Sequence, residues 1–130
     1  MTSRFNELTI DGHDLGKLAE FWCEVLGYRI LHSEDDIIAI GTEWPGPEEL
    51  RAAAVPPTLV FVKVPESKTV KNRVHIDVKP FDRSQKDEVE RLLALGARHV
   101  DIGQGEQRWV VLADPEGNEF CVLGSVAPDA

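Results

Sequence analysis

The sequence predicts an α+β fold built from two βαβββ modules in tandem, each a strand, a helix and three further strands. The hexapeptide NELTID at 6–11 has an echo, NRVHID at 72–77, in which three of six positions are identical. A Leu-Gly pair at 26–27 recurs at 95–96, so the two copies stay in step apart from a small insertion. Self-similarity of this kind indicates a duplicated structural unit.

The first module begins with RFNELTID, whose apolar residues alternate as in a half-buried strand. DLGKLAEFWCEVLG follows as a helix, with Asp14 positioned to cap its start and Gly27 its end. YRILHSE, DIIAIG and TLVFVKV are rich in β-branched and aliphatic residues and complete the module as strands. The core stripe of the helix has helical spacing: Leu15, Leu18, Trp22, Val25 and Leu26.

The second module repeats this order. RVHIDV is its opening strand, and DRSQKDEVERLLALG is a helix with a predicted capping box from Asp82 to Gln85. RHVDIG, RWVVLAD and EFCVLG are the three strands that follow. The modules therefore span about 4–64 and 72–124. They form a single domain, 1–130, because half of this chain would bury too little core to fold alone.

Two segments interrupt the repeat. PESKTVKN, 65–72, links the modules as a hinge. EWPGPEELRAAAV, 43–55, contains Pro-Gly-Pro and is predicted to be an irregular excursion, longer than most connections. Loops of this length often carry function, so Trp44 within it is a candidate ligand contact, and the alternative is that Trp44 only anchors the loop.

Charge and composition exclude several classes of partner. With 14 Lys and Arg against 23 Asp and Glu, the net charge is -9, which disfavours nucleic acid and anionic membrane surfaces. The start of the chain lacks the apolar stretch of a signal peptide, and no stretch is long enough to span a bilayer, so a cytoplasmic location is expected. Cys23 and Cys121 form no metal-binding or disulfide pattern and are predicted to be buried thiols.

Strand alternation separates polar from apolar faces. Arg73, His75 and Asp77 share one face of the second opening strand, and Glu7, Thr9 and Asp11 share the equivalent face of the first. Glu119 and Cys121 share a face of the last strand. Because Glu119 opens a strand of apolar residues, it should be partly buried and need a cation, a donor or a proton.

The repeat, the stretch VPESKTVKNRVHID and above all DPEGNEFCVL at 114–123 resemble the vicinal oxygen chelate superfamily, specifically its glyoxalase-like branch. That group includes bleomycin resistance proteins and extradiol dioxygenases. The resemblance implies that the modules form a curved mixed sheet around a cavity, with a homodimer as the expected assembly. It does not by itself identify an activity.

In metal-dependent members of this superfamily, the opening and closing strands supply the ligands of a divalent ion. The resemblance implies His75 and Glu119 as metal ligands for Ni, Zn, Mn or Fe, with Glu119 also moving a proton. The first module has Thr9 at the position of His75, and TLVFVKV contains no His, Glu or Asp, so half of the ligand set is missing. Thr9, Trp44 and Asp77 are the predicted substrate contacts, Asp77 either orienting the surroundings of His75 or pairing with Arg73.

Three hypotheses follow. The chain is a glyoxalase-like small-molecule-binding protein, and with a metal it would be a lyase or isomerase. The alternative is a metal-free protein of the bleomycin-resistance type that sequesters its ligand. A third hypothesis makes His75 and Glu119 a hydrogen-bonded pair in a scaffold for another partner.

Overall fold

Each half of the chain folds into a four-stranded mixed sheet with an amphipathic helix, in the predicted order of elements apart from one additional short helix in the first half. The structure is a computed structural model that describes residues 2–103, 105 and 108–128. The two units are Met1–Ser67 and Lys68–Ala130. The predicted α+β class and the tandem βαβββ modules are confirmed. Among the described residues, no helix is both long and apolar enough to cross a membrane.

The first module forms a sheet with the strand order β1-β4-β3-β2. β1 and β4 are parallel, and the other neighbours are antiparallel. Its elements are β1 (Glu7–Gly12), α1 (Leu15–Leu26), β2 (Arg29–Glu34), β3 (Ile37–Gly41), α2 (Pro47–Ala52) and β4 (Thr58–Lys63).

Helix α1 has the predicted caps, and its predicted core face is confirmed for Leu15, Leu18 and Trp22. Val25 and Leu26 are only partly buried, and Phe21 is buried although it was not predicted. The side chain of Asp14 accepts a hydrogen bond from the backbone N–H of Lys17, and Gly27 ends the helix in the left-handed conformation with φ 68°. Leu18 and Trp22 of the helix are fully buried, as is Phe61 of β4. The apolar stripe of α1 and the sheet thus form the core of this module.

Helix α2 was not predicted, and the irregular excursion expected over 43–55 is wrong for Pro47–Ala52. Gly46 is its N-cap, and Pro47 stands at the first helical position, where a missing N–H costs nothing. Glu48 and Glu49 in the first turn complement the helix dipole. The Pro-Gly-Pro signal therefore marked the start of a short helix.

The second module repeats the topology with the strand order β5-β8-β7-β6. β5 and β8 are parallel, and their register places Asp77 beside Cys121. Its strands are shorter than the sequence patterns suggested, and β6 has only two residues. The elements are β5 (Ile76–Val78), α3 (Gln85–Ala94), β6 (Arg98–His99), β7 (Val110–Ala113) and β8 (Glu119–Val122).

The capping box predicted from Asp82 to Gln85 is wrong. Helix α3 begins later, and its N-cap is Ser84, whose hydroxyl accepts a hydrogen bond from the backbone N–H of Asp87 at 3.1 Å. Asp82 instead contacts Nε of Arg83. Gln85 donates from its side chain to the carbonyl of Val122, which ties the first turn of α3 to the end of β8.

The predicted DPEGN turn is present and fixes the start of β8. Asp114 is completely buried, and its Oδ1 accepts hydrogen bonds from the backbone N–H groups of Glu116 and Asn118, each at 2.9 Å. Gly117 has φ 88°, a conformation that side chains rarely adopt. This turn sets where Glu119, the next residue after Asn118, enters the sheet.

Candidate functional site

Glu119 is the first residue of β8, and both of its carboxylate oxygens are occupied. Lys68 donates from Nζ to Oε1 at 2.8 Å, and the backbone N–H of Asn72 donates to Oε2 at 3.1 Å. The Glu119 side chain is 9% exposed. The sequence prediction that this carboxylate needs a cation or a donor is met by both.

The electrostatics of Glu119 follow from these contacts. Burial alone would raise its pKa, but the hydrogen bonds from Lys68 and from backbone N–H groups, together with the charge of Lys68, outweigh burial and lower it. The group is therefore held as a carboxylate. A carboxylate with a lowered pKa and both oxygens bonded is a weak proton acceptor.

A second cluster joins His75, Asp77 and Cys121. Nε2 of His75 lies 3.1 Å from Oδ1 of Asp77. The imidazole, carboxylate and thiol of the three residues each offer a ligand atom, and these atoms lie within 4.8 Å of one another. His75 and Asp77 are 45% and 47% exposed, whereas Cys121 is buried. The parallel pairing of β5 with β8 is what brings the thiol to the two polar side chains.

The thiol of Cys121 is protonated in this setting. Burial, the negative charge of Asp77 and a hydrogen bond with Asp77 all raise its pKa, while the charge of Lys71 acts in the opposite direction. The prediction of a buried thiol is confirmed for Cys121, whereas Cys23 is only partly buried, and both cysteines are free.

By their side-chain contacts, the predicted site residues of the second module fall into two groups. His75 and Asp77 are in contact, which is the arrangement that the predicted orienting role of Asp77 needs. Glu119 binds Lys68 and Asn72, and His75 binds Asp77, so each has a partner other than the one that the scaffold hypothesis assigned. The roles of Thr9, His75, Asp77, Trp44 and Glu119 in ligand or metal binding stay predictions.

In the first module, the polar row of β1 is exposed. Glu7, Thr9 and Asp11 are solvent-accessible, and they alternate with Leu8 and Ile10, which are partly buried. The predicted separation of faces is therefore confirmed for this strand. Three neutral or acidic oxygen-bearing side chains at two-residue spacing offer hydrogen-bonding groups to a ligand.

Trp44 is 62% exposed and precedes Pro45, which lines a hollow of about 370 Å³ in the first module. The hollow is formed by residues 4–6, 45, 50 and 53–57. Arg4 at its edge donates from Nε to the carbonyl of Arg51, next to the last residue of α2. The segment singled out in the sequence thus forms a wall of a depression, and Trp44 directly precedes the lining residue Pro45 in sequence.

The residues that the resemblance assigns to a metal do not fit a divalent ion. A stable site of this kind takes about three protein ligands. Both oxygens of Glu119 are engaged by donors, one of them the cation of Lys68. Thr9 offers only a neutral hydroxyl, and β4 contributes no imidazole or carboxylate. His75 is then the single suitable ligand of that set.

Lys68, Asn72 and Cys121 were missed as site residues by the sequence analysis. Lys68 and Asn72 belong to the segment interpreted as a hinge between modules. Their role needs a contact across about fifty positions of chain, for which the sequence carries no local signal. Cys121 did carry a signal, because alternation placed it on the same face as Glu119.

Two tandem βαβββ modules, each a mixed sheet in the order 1-4-3-2 of its own strands, define the fold of the vicinal oxygen chelate superfamily. Residues 7–123 match the family model described as a glyoxalase-like domain, and the chain belongs to that family. The resemblance inferred from the sequence is confirmed. A search of curated proteins gives no match.

Solved structures support the same fold. A glyoxalase/bleomycin resistance protein/dioxygenase family enzyme from Burkholderia phytofirmans is 16% identical, with a TM-score of 0.64 over 95% of this chain and 99% of that chain. The fosfomycin resistance protein FosX from Listeria monocytogenes, complexed with Mn(II) and a sulfate ion, is 17% identical, with a TM-score of 0.64 over 96% and 92%. FosX from Mesorhizobium loti is 16% identical, with a TM-score of 0.65 over 94% and 92%. At these identities the likeness establishes the fold.

Proposed function

We propose that this chain is a small-molecule-binding protein of the glyoxalase-like family in which Glu119 stabilises the fold and binds no metal. The observation that carries this proposal is the contact of the Glu119 carboxylate with Lys68 and with the backbone of Asn72. A carboxylate committed in this way anchors the segment 68–72 onto the closing strand. Its oxygens are therefore unsuited to bind a Lewis-acidic metal ion or to carry a proton during a reaction.

The cost of freeing Glu119 supports the proposal. To bind a metal, it would have to release a charge-assisted hydrogen bond, and such bonds contribute about 1.5–3 kcal/mol each. It would also leave the ammonium of Lys68, which is 20% exposed, beside a divalent cation. Repulsion between these like charges opposes binding at this position.

Each module, taken by itself, has exposed polar groups on or beside its opening strand that are proposed ligand contacts. The first module offers Thr9, and the second offers Asp77 and His75. The Thr9 hydroxyl and an imidazole N–H of His75 donate to hydroxyl or carboxyl oxygens, and the Asp77 carboxylate accepts from hydroxyl groups, which suits the vicinal oxygens that the family resemblance implies. Trp44, exposed and directly before the lining residue Pro45 in sequence, is the proposed aromatic contact.

The test is a ligand screen with the full-length, untagged protein in the presence of EDTA. Small diols, 2-hydroxy acids and phosphonates are followed by thermal shift, because a molecule that binds only the native state raises the melting temperature. We expect at least one class to bind without metal. Thr9→Val, Asp77→Asn and Trp44→Ala are then compared by calorimetry with the exposed control Glu34→Gln. At least one of the three variants should lose about tenfold in affinity, and the control should lose none.

Two results would count against the proposal. One is a screen in which no compound binds in EDTA. The other is binding that requires a divalent metal and disappears in Glu119→Gln while the circular dichroism spectrum stays native.

A metal-dependent lyase or isomerase is the second candidate function. It is favoured by the likeness to FosX from Listeria monocytogenes, a structure complexed with Mn(II), and by the exposed imidazole of His75. Repeating the screen with Mn²⁺ in place of EDTA, and following the compounds themselves over time, separates the two candidates, because this one requires metal-dependent loss of a substrate. The metal-free binder leaves its ligand unchanged.

A further inference from the structure

We propose that His75, Asp77 and Cys121 form a site for a thiophilic divalent ion of the zinc class. The site lies wholly within the second module and uses two residues that the family resemblance does not assign to a metal. It does not depend on the proposed small-molecule binding, and it excludes Glu119.

The geometry of the three ligand atoms suits one ion. Zinc bonds of about 2.0–2.3 Å to nitrogen, oxygen and sulfur in a tetrahedral site put neighbouring ligand atoms roughly 3.3–3.7 Å apart. The three atoms here lie within 4.8 Å of one another, and the imidazole and carboxylate are already 3.1 Å apart. Small side-chain rotations are enough to close the remaining gap.

The three proposed ligands differ in how firmly their side chains are held. Cys121 is fixed in β8 with its residue 6% exposed, and its neighbour in the register is Asp77 of β5. His75 precedes β5, and about half of its side chain is exposed, so the imidazole can adjust. One rigid thiol and two adjustable side chains leave the solvent side open for a water as fourth ligand.

The chemistry of the donor set selects the metal. One imidazole, one carboxylate and one thiolate form a mixed N, O and S set, which suits zinc and similar borderline ions better than Mg²⁺ or Ca²⁺. Binding forms the metal–sulfur bond and breaks the S–H bond of Cys121, and the proton passes to solvent. The ion replaces that proton, and no oxidant or reductant is needed.

The charge of Lys71 should weaken metal binding, so removing that charge tests whether the affinity rises as the proposal requires. Its charge acts on the sulfur of Cys121, and its Nζ donates to the carbonyl of Asn72 at 3.2 Å on the exposed surface. A cation near the sulfur repels an incoming divalent ion. Lys71→Met should therefore strengthen metal binding by a few-fold.

Cobalt(II) is the probe, because its bond to a thiolate gives a charge-transfer absorption band that imidazole and carboxylate alone do not give. The untagged protein is titrated with Co²⁺ under reducing conditions, and Zn²⁺ is then added to displace it. We expect a sulfur-to-cobalt band that saturates at one ion per chain and is lost on adding zinc.

Matched variants assign the ligands. Cys121→Ser and Cys121→Ala should abolish the band, while Cys23→Ser, the other free thiol, should keep it. His75→Ala and Asp77→Asn should weaken Co²⁺ binding by at least about tenfold, compared with the exposed control His32→Ala. Native circular dichroism spectra are required of every variant.

The proposal is overturned if the wild type gives no thiolate band, or if the band survives in both Cys121 variants. It is also overturned if the affinity for Co²⁺ is unchanged in both His75→Ala and Asp77→Asn. The metal titration contains no organic ligand, and the ligand screen contains EDTA, so either experiment can fail without the other.

Discussion

Lys68 and Glu119 are the residue pair on which the interpretation of the second module depends. They are separated by 51 positions in sequence and joined by a 2.8 Å contact, with side-chain exposures of 20% and 9%. A charge pair buried to this degree gains little over an apolar pair, but it is costly to break from one side. Removing only the lysine therefore tests how tightly the carboxylate is held.

Lys68→Met should lower the free energy of unfolding by about 1–3 kcal/mol at neutral pH, because it leaves a buried carboxylate with backbone donors but no cation. Urea unfolding measures the difference. Lys71→Met is the matched control, since Lys71 is exposed and should change stability by less than about 0.5 kcal/mol. Equal stability of wild type and Lys68→Met would show that the contact contributes nothing.

The same contact predicts a pH dependence. The pKa of Glu119 is lowered in the folded protein, so its contribution is complete above the ordinary carboxyl pKa of about 4.3 and is lost as pH falls through the lowered value. The stability difference between wild type and Lys68→Met should therefore shrink on acidification. Unfolding curves at pH 7 and at successively lower pH check this; a difference that grows towards acid would have the wrong sign.

For single residues, the sequence predicted whether a side chain is buried better than it predicted which residue contacts it. The strand pattern around Glu119 indicated burial and a need for a cation, but it gave no means of choosing Lys68 from the Lys and Arg residues of the chain. The pairing of Asp77 with Cys121 was also out of reach, because it depends on the register of two strands more than forty residues apart.

Among the elements, α3 offers the sharpest contrast between pattern and structure. Asp82 and Ser84 are both favourable N-cap residues, and only the structure shows that the helix begins after Ser84. The pattern was ambiguous because either residue has a polar residue three positions later.

Ser84→Ala should destabilise the protein by about 1 kcal/mol, because the N–H of Asp87 loses its acceptor. Asp82→Ala removes only an exposed contact with Arg83 and should be nearly neutral. Thermal or urea unfolding of the two variants side by side is the measurement. The reverse order of stabilities would restore the capping box predicted from the sequence.

The other elements were predicted or missed according to the strength of their local sequence pattern. Helix α1 was predicted with both caps because its apolar stripe is long and only one candidate was identified for each cap. Helix α2 was missed because six residues are too few to show a periodicity, and its Pro-Gly start resembles a turn. β6 shrank to two residues because strand length is set by pairing with β7.

For the whole molecule, the duplication made the fold predictable. Two imperfect copies of one pattern indicate one topology with much greater weight than either copy alone. The site was less predictable because the copies diverged where chemistry is decided: Thr9 stands where the second module has His75. The chemical role of the residues that differ between the modules depends on their contacts with neighbouring strands of each sheet.

The family resemblance implies a homodimer, which we retain as a prediction. Val70, Val74 and Phe81 in the second module are each about three-quarters exposed, and large exposed apolar side chains favour association. Sedimentation equilibrium should give twice the 14.5 kDa mass of the chain, and Val74→Lys with Phe81→Lys should weaken the dimer. A monomer at all concentrations would refute the prediction.

X-ray absorption at the zinc edge tests most directly the claim that the second module binds a metal through His75, Asp77 and Cys121 and leaves Glu119 with Lys68. The protein is loaded with one equivalent of Zn²⁺, and its spectrum is compared with that of Cys121→Ser. We predict one sulfur among nitrogen and oxygen ligands in the wild type, and no sulfur in the variant. A shell of nitrogen and oxygen alone in the wild-type protein would contradict the account.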